Sequence, residues 1–287
     1  MKDQAEELRK RTKEREHHSV PKTMAVVSGK GGVGKSNFSL NFALSLLKRG
    51  HKVLLFDMDV GMGNIDILLG KTADFSIVDF LEGKQSLQNI VTEGPNGLRY
   101  IAGGTGLQHL VKLDEALITK FMDELSRLLV QFEFVIFDMG AGVTQETLNF
   151  ILSVDEIIVV TTPEPTSITD AYSIMKHIHL QNSQLPFLIV VNRVVGDKDG
   201  VETFKRLRAV TRRFLGRDVD ALGMIPDDRA IQKAVSTQTP FIFNDKSMAT
   251  KALMNITERY EAHSFKDMNA SNSFGFVSKL KRFLFER

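Results

Sequence analysis

The sequence predicts an α/β protein of three layers, in which helices cover both faces of a mostly parallel β-sheet. Short apolar runs rich in β-branched residues recur between residues 23 and 265, separated by stretches long enough for crossover helices. Such runs are typical of parallel sheets, because both faces of these sheets are buried. A glycine-rich segment also separates the first run from the first helix. Sheets of this class bind ligands at the carboxyl ends of their strands.

The pattern predicts seven strands and two well-defined helices. A helix is expected from Lys35 to Arg49 and should stop near Gly50, and helical periodicity extends over Asp114–Gln131. The predicted strands, in chain order, are MAVVS, KVLLFDMD, LRYIAGG, FEFVIFDMG, DEIIVVTTPEP, PFLIVVNRV and DALGMIPDD.

Polar segments divide the chain into four parts. Residues 1–22 form an N-terminal arm, in which only Ala5 and Leu8 are apolar between positions 2 and 16. Such a segment cannot bury an apolar stripe against a core. The main domain spans residues 23–265, a polar hinge spans 266–273, and a C-terminal amphipathic helix spans 274–287.

The composition excludes several classes of protein. The 287 residues include no cysteine, which excludes disulfides, cysteine-ligated zinc and the cysteine-ligated cluster of reductases similar to the nitrogenase iron protein. No apolar run approaches the roughly 20 residues of a membrane-spanning helix, and the polar N-terminus is unlike a secretory signal. We therefore expect a cytoplasmic protein. The basic excess lies at the two chain ends, so no nucleic-acid partner is expected.

The segment after the first strand, SGKGGVGKS, predicts a phosphate-binding loop. Residues Gly29–Ser36 satisfy GxxxxGK[ST] between a strand and a helix, which is the context that the motif requires. Backbone N–H groups of the loop and the helix N-terminus favour phosphate oxygens. Lys35 would reach the β- and γ-phosphates, and the Ser36 hydroxyl would bind Mg²⁺. The predicted nucleotide-binding residues here are Gly29, Lys30, Gly31, Gly32, Val33, Gly34, Lys35, Ser36 and Asn37.

Three aspartates at strand ends support a magnesium site beside this loop. Asp57 and Asp59 end the second strand, and Asp138 ends a later apolar strand, as a Walker-B carboxylate does. We predict that Ser36, Asp57 and Asp138 hold Mg²⁺, partly through water. For each aspartate taken singly, capping of a turn or helix remains an alternative.

These motifs together resemble the MinD/ParA-type deviant Walker ATPases, a group of P-loop NTPases. The segments KGGVGKS, DMDVGMGNID, FDMGAG, TTPEPTSITDAY, VVNRV and IPDDRAI occur in the order seen in that family, over roughly residues 23–262. The resemblance implies Mg²⁺-dependent ATP hydrolysis, with ATP and ADP as ligands, in a homodimer that sandwiches two nucleotides.

The resemblance also assigns roles to individual residues. Lys30 would reach across the dimer to phosphates bound by the partner subunit, Asp59 would orient the hydrolytic water, and Asp138 would contact Mg²⁺ through water. A second cation from a partner fits phosphoryl transfer, which depends on positioning and on charge neutralisation. A solvated loop lysine is the alternative for Lys30. The positions that resemble nucleotide contacts are Glu164, at the dimer interface, and Asn192, Pro226 and Asp227, around the adenine.

The C-terminal segment FGFVSKLKRFLFER predicts a basic amphipathic helix. Its apolar residues recur at helical spacing with basic residues opposite or beside them, which suits the surface of an anionic membrane. This arrangement resembles the membrane-targeting sequence of MinD-like proteins, which attach to the inner face of the cell membrane with ATP. A helix packed on its own domain is the alternative, and the two states could alternate with ATP. The predicted membrane residues are Phe276, Val277, Lys279, Leu280, Lys281, Arg282, Phe283 and Leu284.

The arm segment DQAEELRKR resembles the FlhG (FleN/YlxH) branch of the family, which sets flagellar position and number. In that branch a short N-terminal helix stimulates the GTPase of FlhF, a protein of the signal-recognition-particle type. By this resemblance Gln4 would complete the partner's GTPase site, and Arg9, Lys10 and Arg11 would add charge complementarity. Flagellar basal-body and C-ring components are further expected partners. A functionless extension is the alternative.

Two other functions within the family remain open from the sequence. A MinD-type regulator of the division site fits the main domain and the tail, but the arm argues against it. A ParA-type DNA-partitioning ATPase is disfavoured by the lipid-like tail and by the slightly acidic main domain.

Overall fold

The computed structural model describes residues 20–59, 63–103, 115–142, 145–267 and 275–285. The predicted arm residues Gln4, Arg9, Lys10 and Arg11, most of the predicted hinge and the side chain of Leu284 lie outside the described part. No helix of the described part is long and apolar enough to cross a membrane.

The described residues form an eight-stranded sheet in the order β3-β4-β2-β5-β1-β6-β7-β8. All neighbouring strands pair in parallel except β3 and β4. The central strand β1 lies between β5 and β6, so the loop after it opens where the strand order reverses. The strands are β1 (Lys22–Val27), β2 (Val53–Met58), β3 (Val91–Glu93), β4 (Arg99–Ile101), β5 (Phe134–Met139), β6 (Glu156–Thr161), β7 (Phe187–Val194) and β8 (Asp220–Pro226).

Helices cover both faces of the sheet, as the sequence predicted. They are α1 (Lys35–Lys48), α2 (Asn64–Leu69), α3 (Ile77–Leu81), α4 (Glu115–Leu129), α5 (Gln145–Ser153), α6 (Pro165–Gln181), α7 (Asp197–Leu215), α8 (Arg229–Ser236), α9 (Met248–Asp267) and α10 (Phe276–Phe285), with 3₁₀ turns at Pro95–Gly97 and Phe241–Phe243.

Alternation along the strands builds two separate cores. In β1, Met24 and Val26 pack into the core that α1, α2 and α9 cover, whereas Ala25 and Val27 pack into the opposite core. That second core is covered by α3 to α7 and by α10. Burial on both faces explains why the central strands are continuous apolar runs rather than alternating ones.

The structure corrects three predicted boundaries. The main domain does not end at residue 265, because α9 continues to Asp267 and takes in the first two residues of the predicted hinge. The first strand begins at Lys22 rather than after it, because Lys22 pairs with Phe134 of β5. The C-terminal helix begins at Phe276 rather than at residue 274, because Gly275 is not helical.

The C-terminal helix α10 packs on the protein's own body. Phe276 and Leu280 are buried in the core, and Val277 and Phe283 pack against it. The ring of Phe276 stacks on Phe137 of β5, with centroids 4.8 Å apart. The apolar face that the sequence assigned to a membrane is therefore covered here by protein, as in the alternative that the sequence left open.

The first and last described segments leave the body at one place, which we call the end junction (Val20–Thr23, Asp155–Glu156 and Gly275–Lys279). Asp155 accepts hydrogen bonds from the backbone N–H and the hydroxyl of Thr23 at 2.9 and 2.8 Å. Its other oxygen lies 3.2 Å from Lys279 Nζ of α10. Next to it, buried Glu156 pairs with Lys22 at 2.9 Å. Asp155 therefore contacts both the strand that follows the arm and the C-terminal helix.

Candidate nucleotide-binding site

The phosphate-loop segment Gly29–Ser36 leads from the end of β1 into α1. Gly34 precedes α1 with φ of 90°, and a Cβ atom there would lie 2.4 Å from Asn192 Nδ2. A Cβ atom at Gly29 would lie 2.1 Å from the backbone carbonyl carbon of Asp170 in α6. Both positions therefore require glycine. The result is an uncapped helix N-terminus facing the loop, which is the geometry that favours phosphate.

Lys35 is held below the loop by a buried ion pair with Asp138. Lys35 Nζ lies 2.9 Å from Asp138 Oδ1, and both side chains are buried. Ser39 Oγ donates to the same oxygen at 2.8 Å. Lys35 Nζ is also 3.4 Å from Ser36 Oγ. The predicted phosphate lysine, magnesium hydroxyl and Walker-B carboxylate thus meet at one point.

Asp57 and Asp138 stand side by side on the paired strands β2 and β5. Burial, together with the charge of Asp138, raises the pKa of Asp57 from 3.8 to about 7, although backbone N–H groups of Asp59 and Ile65 act in the opposite direction. Asp138 Oδ2 is buried and has no hydrogen-bond partner among the described residues. Two crowded carboxylates with an unused oxygen fit a hydrated Mg²⁺ ion, because it takes oxygen ligands and neutralises their repulsion.

Asp59 follows Asp57 by two residues and lies just after the end of β2. Its backbone N–H donates to Asp57 Oδ1 at 3.0 Å, and its carboxylate accepts from Asn64 Nδ2 of α2 at 2.8 Å. Ile65 N–H of α2 donates to the second oxygen of Asp57 at 3.1 Å. The first residues of α2 therefore help to orient both carboxylates.

The raised pKa of Asp57 predicts that the nucleotide-free protein loses stability as the pH rises toward neutrality. The folded state binds this proton more tightly than the unfolded state, so the stabilisation is complete below pH 3.8 and is lost as the pH rises through about 7. We expect the free energy of unfolding to fall by about 2 kcal/mol between pH 5.5 and 7. Urea unfolding at a series of pH values measures this change. Asp57→Asn should flatten the profile, and an unchanged slope in that variant would contradict the assignment.

A cleft of about 490 Å³ opens beside the phosphate loop, between α1, the end of β7 and α8. The predicted adenine residue Asn192 is in its wall and donates from Nδ2 to Val33 O at 2.8 Å. Its Oδ1 is buried without a partner among the described residues. An unused acceptor suits the exocyclic amino group of adenine. Asp227 lines the same cleft, directly after Pro226 at the end of β8.

The second lysine of the loop, Lys30, is directed to α6 and its N-cap. Its Nζ lies 2.6 Å from Glu164 Oε2 and 3.2 Å from Thr166 Oγ1. The hydrogen bond and charge of Lys30 hold the pKa of Glu164 below its usual range, and the charge of Arg193 acts in the same direction. Both partners are substantially exposed, at 33% and 58% of their side chains. Solvent screening keeps such a pair weak, so Lys30 can leave it at little cost.

Comparison with known proteins agrees with this site. The model of the ParA family, described as NUBPL iron-transfer P-loop NTPase, matches residues 19–260. The chain belongs to the ParA family of P-loop NTPases. This family member contains no cysteine, so it offers no thiolate for the iron of that description.

Two curated relatives of this ParA-family chain carry flagellar names. The antiactivator FleN of Pseudomonas aeruginosa is 34% identical over 215 residues, which cover 75% of this chain and 77% of FleN. The flagellum site-determining protein YlxH of Helicobacter pylori is 38% identical over 216 residues, which cover 75% of this chain and 72% of YlxH.

The fold is also that of a solved septum site-determining protein, MinD of Pyrococcus horikoshii in complex with Mg-ADP. The two share 24% identity with a TM-score of 0.69, over 85% of this chain and 97% of that one. As a ParA-family P-loop NTPase, the chain binds nucleotide and hydrolyses ATP.

Several cleft residues of this ATPase were not predicted from the sequence. Arg193 lines the cleft beside Asn192, and Ile231, Gln232 and Val235 of α8 form the opposite wall. The sequence did contain a signal for the residues of α8. This helix directly follows the strand end IPDD, and ligands bind at the carboxyl ends of the strands. Asp228 also lines the cleft, and it caps α8 by accepting from Ala230 N–H at 2.8 Å.

Proposed function

We propose that this ATPase is a membrane-attached switch that sets flagellar position and number, and that ATP controls its dimerisation. The similarity to FleN and YlxH carries the flagellar part of the proposal, because two relatives above 30% identity share that context. The nucleotide site and the C-terminal helix suggest how ATP binding could be coupled to membrane attachment.

In the proposed dimer each subunit completes the other's phosphate site. Lys35 binds the phosphates of its own nucleotide, while Lys30 leaves Glu164 and reaches the phosphates of the partner subunit's nucleotide. The exposed Lys30–Glu164 pair supports this proposal, since it holds the cation outside its own loop and releases it at little cost. Hydrolysis then gains a second cation where charge develops on the phosphates.

The remaining site residues position the reactants. Asp59, oriented by Asn64, directs the attacking water, and Asn192, Pro226 and Asp227 hold the adenine. Mg²⁺ held by Ser36, Asp57 and Asp138, partly through water, would neutralise charge on the β- and γ-phosphates. Glu164, once freed of Lys30, is available to contact nucleotide at the dimer interface.

The tail provides the proposed membrane contact. Its apolar face is covered while α10 is docked, so a single docked helix offers only its basic face to lipid. Release of two helices in one dimer would give two linked contacts with anionic lipid, and linked contacts bind more tightly than either alone. This would place the ATP-bound protein at the inner face of the cell membrane.

The arm is the proposed contact with an FlhF-type GTPase of the signal-recognition-particle class, with flagellar basal-body or C-ring components as further partners. Gln4 would orient the attacking water in the partner's site, which an amide side chain can do. Arg9, Lys10 and Arg11 would add charge contacts.

The test uses a synthetic peptide of residues 1–22 added to an FlhF-type GTPase. We expect GTP hydrolysis to rise with the native peptide and to stay at its basal rate with the Gln4→Ala peptide. Absence of stimulation by either peptide would refute the flagellar assignment and favour a MinD-type division regulator. Equal stimulation by both would refute the role of Gln4.

A further inference from the structure

Gln238 forms a bridge between the base-binding wall of the cleft and the helix that orients the catalytic aspartates. It lies just beyond the end of α8, after Thr237. Its Nε2 donates to the carbonyl oxygen of Ile67 in α2 at 2.9 Å. The two residues are 171 positions apart in the chain, so the contact joins two elements that the sequence does not connect.

The backbone at Gln238 is in a conformation that residues other than glycine rarely adopt. Its φ is 50°, in the left-handed region. A residue other than glycine held there costs free energy, and such residues tend to occur where function requires the geometry. The side chain also packs closely on Gly70 after α2, where an added Cβ atom would lie 3.0 Å from Gln238 Cβ. Close packing and a hydrogen bond thus hold the same residue.

Each end of this bridge leads to a different half of the site. On one side, Gln232 and Val235 of α8 line the cleft beside Asn192. On the other side, the first residues of α2 bind the aspartates, with Asn64 donating to Asp59 and Ile65 N–H donating to Asp57. Helix α2 has six residues, about 9 Å, so movement of its last turn is transmitted to its first.

We propose that Gln238 is a positioning residue for ATP hydrolysis, which couples occupation of the base cleft to the placement of Asp59 through α2. A base seated against α8 fixes α8, and Gln238 then fixes the exposed side of α2 through the carbonyl of Ile67. The opposite side of α2 is anchored independently, since Ile65 and Leu69 are buried and Asp66 accepts from Tyr100 at 2.8 Å. The inference rests on the proposed role of Asp59.

The test compares Gln238→Glu, Gln238→Gly and a matched control in steady-state ATP hydrolysis by the full chain. Glutamate keeps the length but cannot donate to Ile67, and glycine adopts the backbone conformation without strain. We expect kcat to fall about fivefold in both variants with KM for ATP nearly unchanged, as loss of one neutral hydrogen bond predicts. The control is Gln131→Glu. Exposed Gln131 donates from Nε2 to Gln88 Oε1 at 3.0 Å, and this pair is remote from the site. The kcat of the control variant should not change.

Two further measurements separate a positioning role from a structural one. Amide hydrogen exchange at Ile65 in the nucleotide-free protein should rise severalfold in Gln238→Glu but not in Gln131→Glu. On an Asp59→Asn background, Gln238→Glu should lower the residual kcat no further. A normal kcat in both Gln238 variants, or the same fall on the Asp59→Asn background, would overturn the proposal. A normal kcat in Asp59→Asn alone would instead refute the proposed role of Asp59.

Discussion

Replacement of Lys30 by alanine is expected to abolish ATP-dependent dimerisation and to lower kcat at least about a hundredfold, because cations supplied across an interface contribute that much or more to phosphoryl transfer. The fold should be unaffected, since Lys30 makes an exposed pair with Glu164 and is not part of either core. Nucleotide binding by the monomer should also remain, because Lys35 and the loop backbone are intact. Size-exclusion chromatography with light scattering, with ATP and with ADP, measures the dimer.

The control for Lys30 is another exposed, ion-paired lysine. Lys48, at the end of α1, lies 2.7 Å from Asp245 and is similarly exposed. Lys48→Ala should dimerise and hydrolyse ATP as the wild type does. A Lys30→Ala protein that still dimerises with ATP would contradict the proposed role across the interface and leave the solvated loop lysine as the explanation.

The second large effect concerns the tail. Leu280→Asp should abolish ATP-dependent binding to vesicles that contain anionic lipid, because it places a charge in the apolar face of α10. Leu280 is fully buried in the docked helix, so the apolar surface that would enter lipid is the one now packed on the body. Vesicle co-sedimentation of the full chain with ATP measures the loss, which we expect to exceed tenfold.

One variant in the same helix and one at the residue that anchors this helix provide the controls. Ser278→Asp adds the same charge on the exposed face, so vesicle binding should fall only about fivefold, because one charge near anionic lipid is worth about 1 kcal/mol. Asp155→Asn weakens the contact with Lys279 of the docked helix and should raise nucleotide-free vesicle binding about fivefold. Wild-type binding by Leu280→Asp would refute the membrane role of this face.

In the proposed mechanism, the energies of docking and of membrane binding would make a dimer necessary. Burial of Phe276 and Leu280 is worth about 1.5–3 kcal/mol each, and one helix gains a similar amount from lipid. Because docking is intramolecular and the two free energies are similar, a single helix would stay docked on the body. In the proposed dimer, two helices released together would favour the membrane-bound state, because the second helix would bind lipid at high effective concentration.

The elements predicted correctly are those whose signal is local. The seven predicted strands are present because most of them are buried apolar runs, although β8 is only partly buried. The phosphate loop is present because GxxxxGK[ST] specifies both its turn and its helix. The missed strand β3 is three residues long and pairs antiparallel with β4. Its turn contains Asn96 and Gly97, both with positive φ, so the GPNG segment was an available hairpin signal.

The features that the sequence could not provide depend on contacts between distant residues. The pairing of Lys30 with Glu164 joins positions 134 apart, and no periodicity encodes it. The raised pKa of Asp57 requires the neighbouring Asp138 and complete burial. The groove that receives α10 exists only after α4, α5 and β5 have packed together, so the helical pattern alone could not decide between protein and lipid.

The end junction has a consequence for how deletions of the arm are interpreted. An added Cβ atom at Gly275 would lie 3.6 Å from Val20, and Asp155 binds Thr23 and Lys279 at once. A truncation that removes residues 1–22 also takes Lys22 from buried Glu156 and loosens the anchor of α10. Under the proposed function, such a mutant would lose the contact with the GTPase and would also have a weakened attachment of α10. Substitution of Gln4 in the full chain separates the two effects, and is the cleaner genetic experiment.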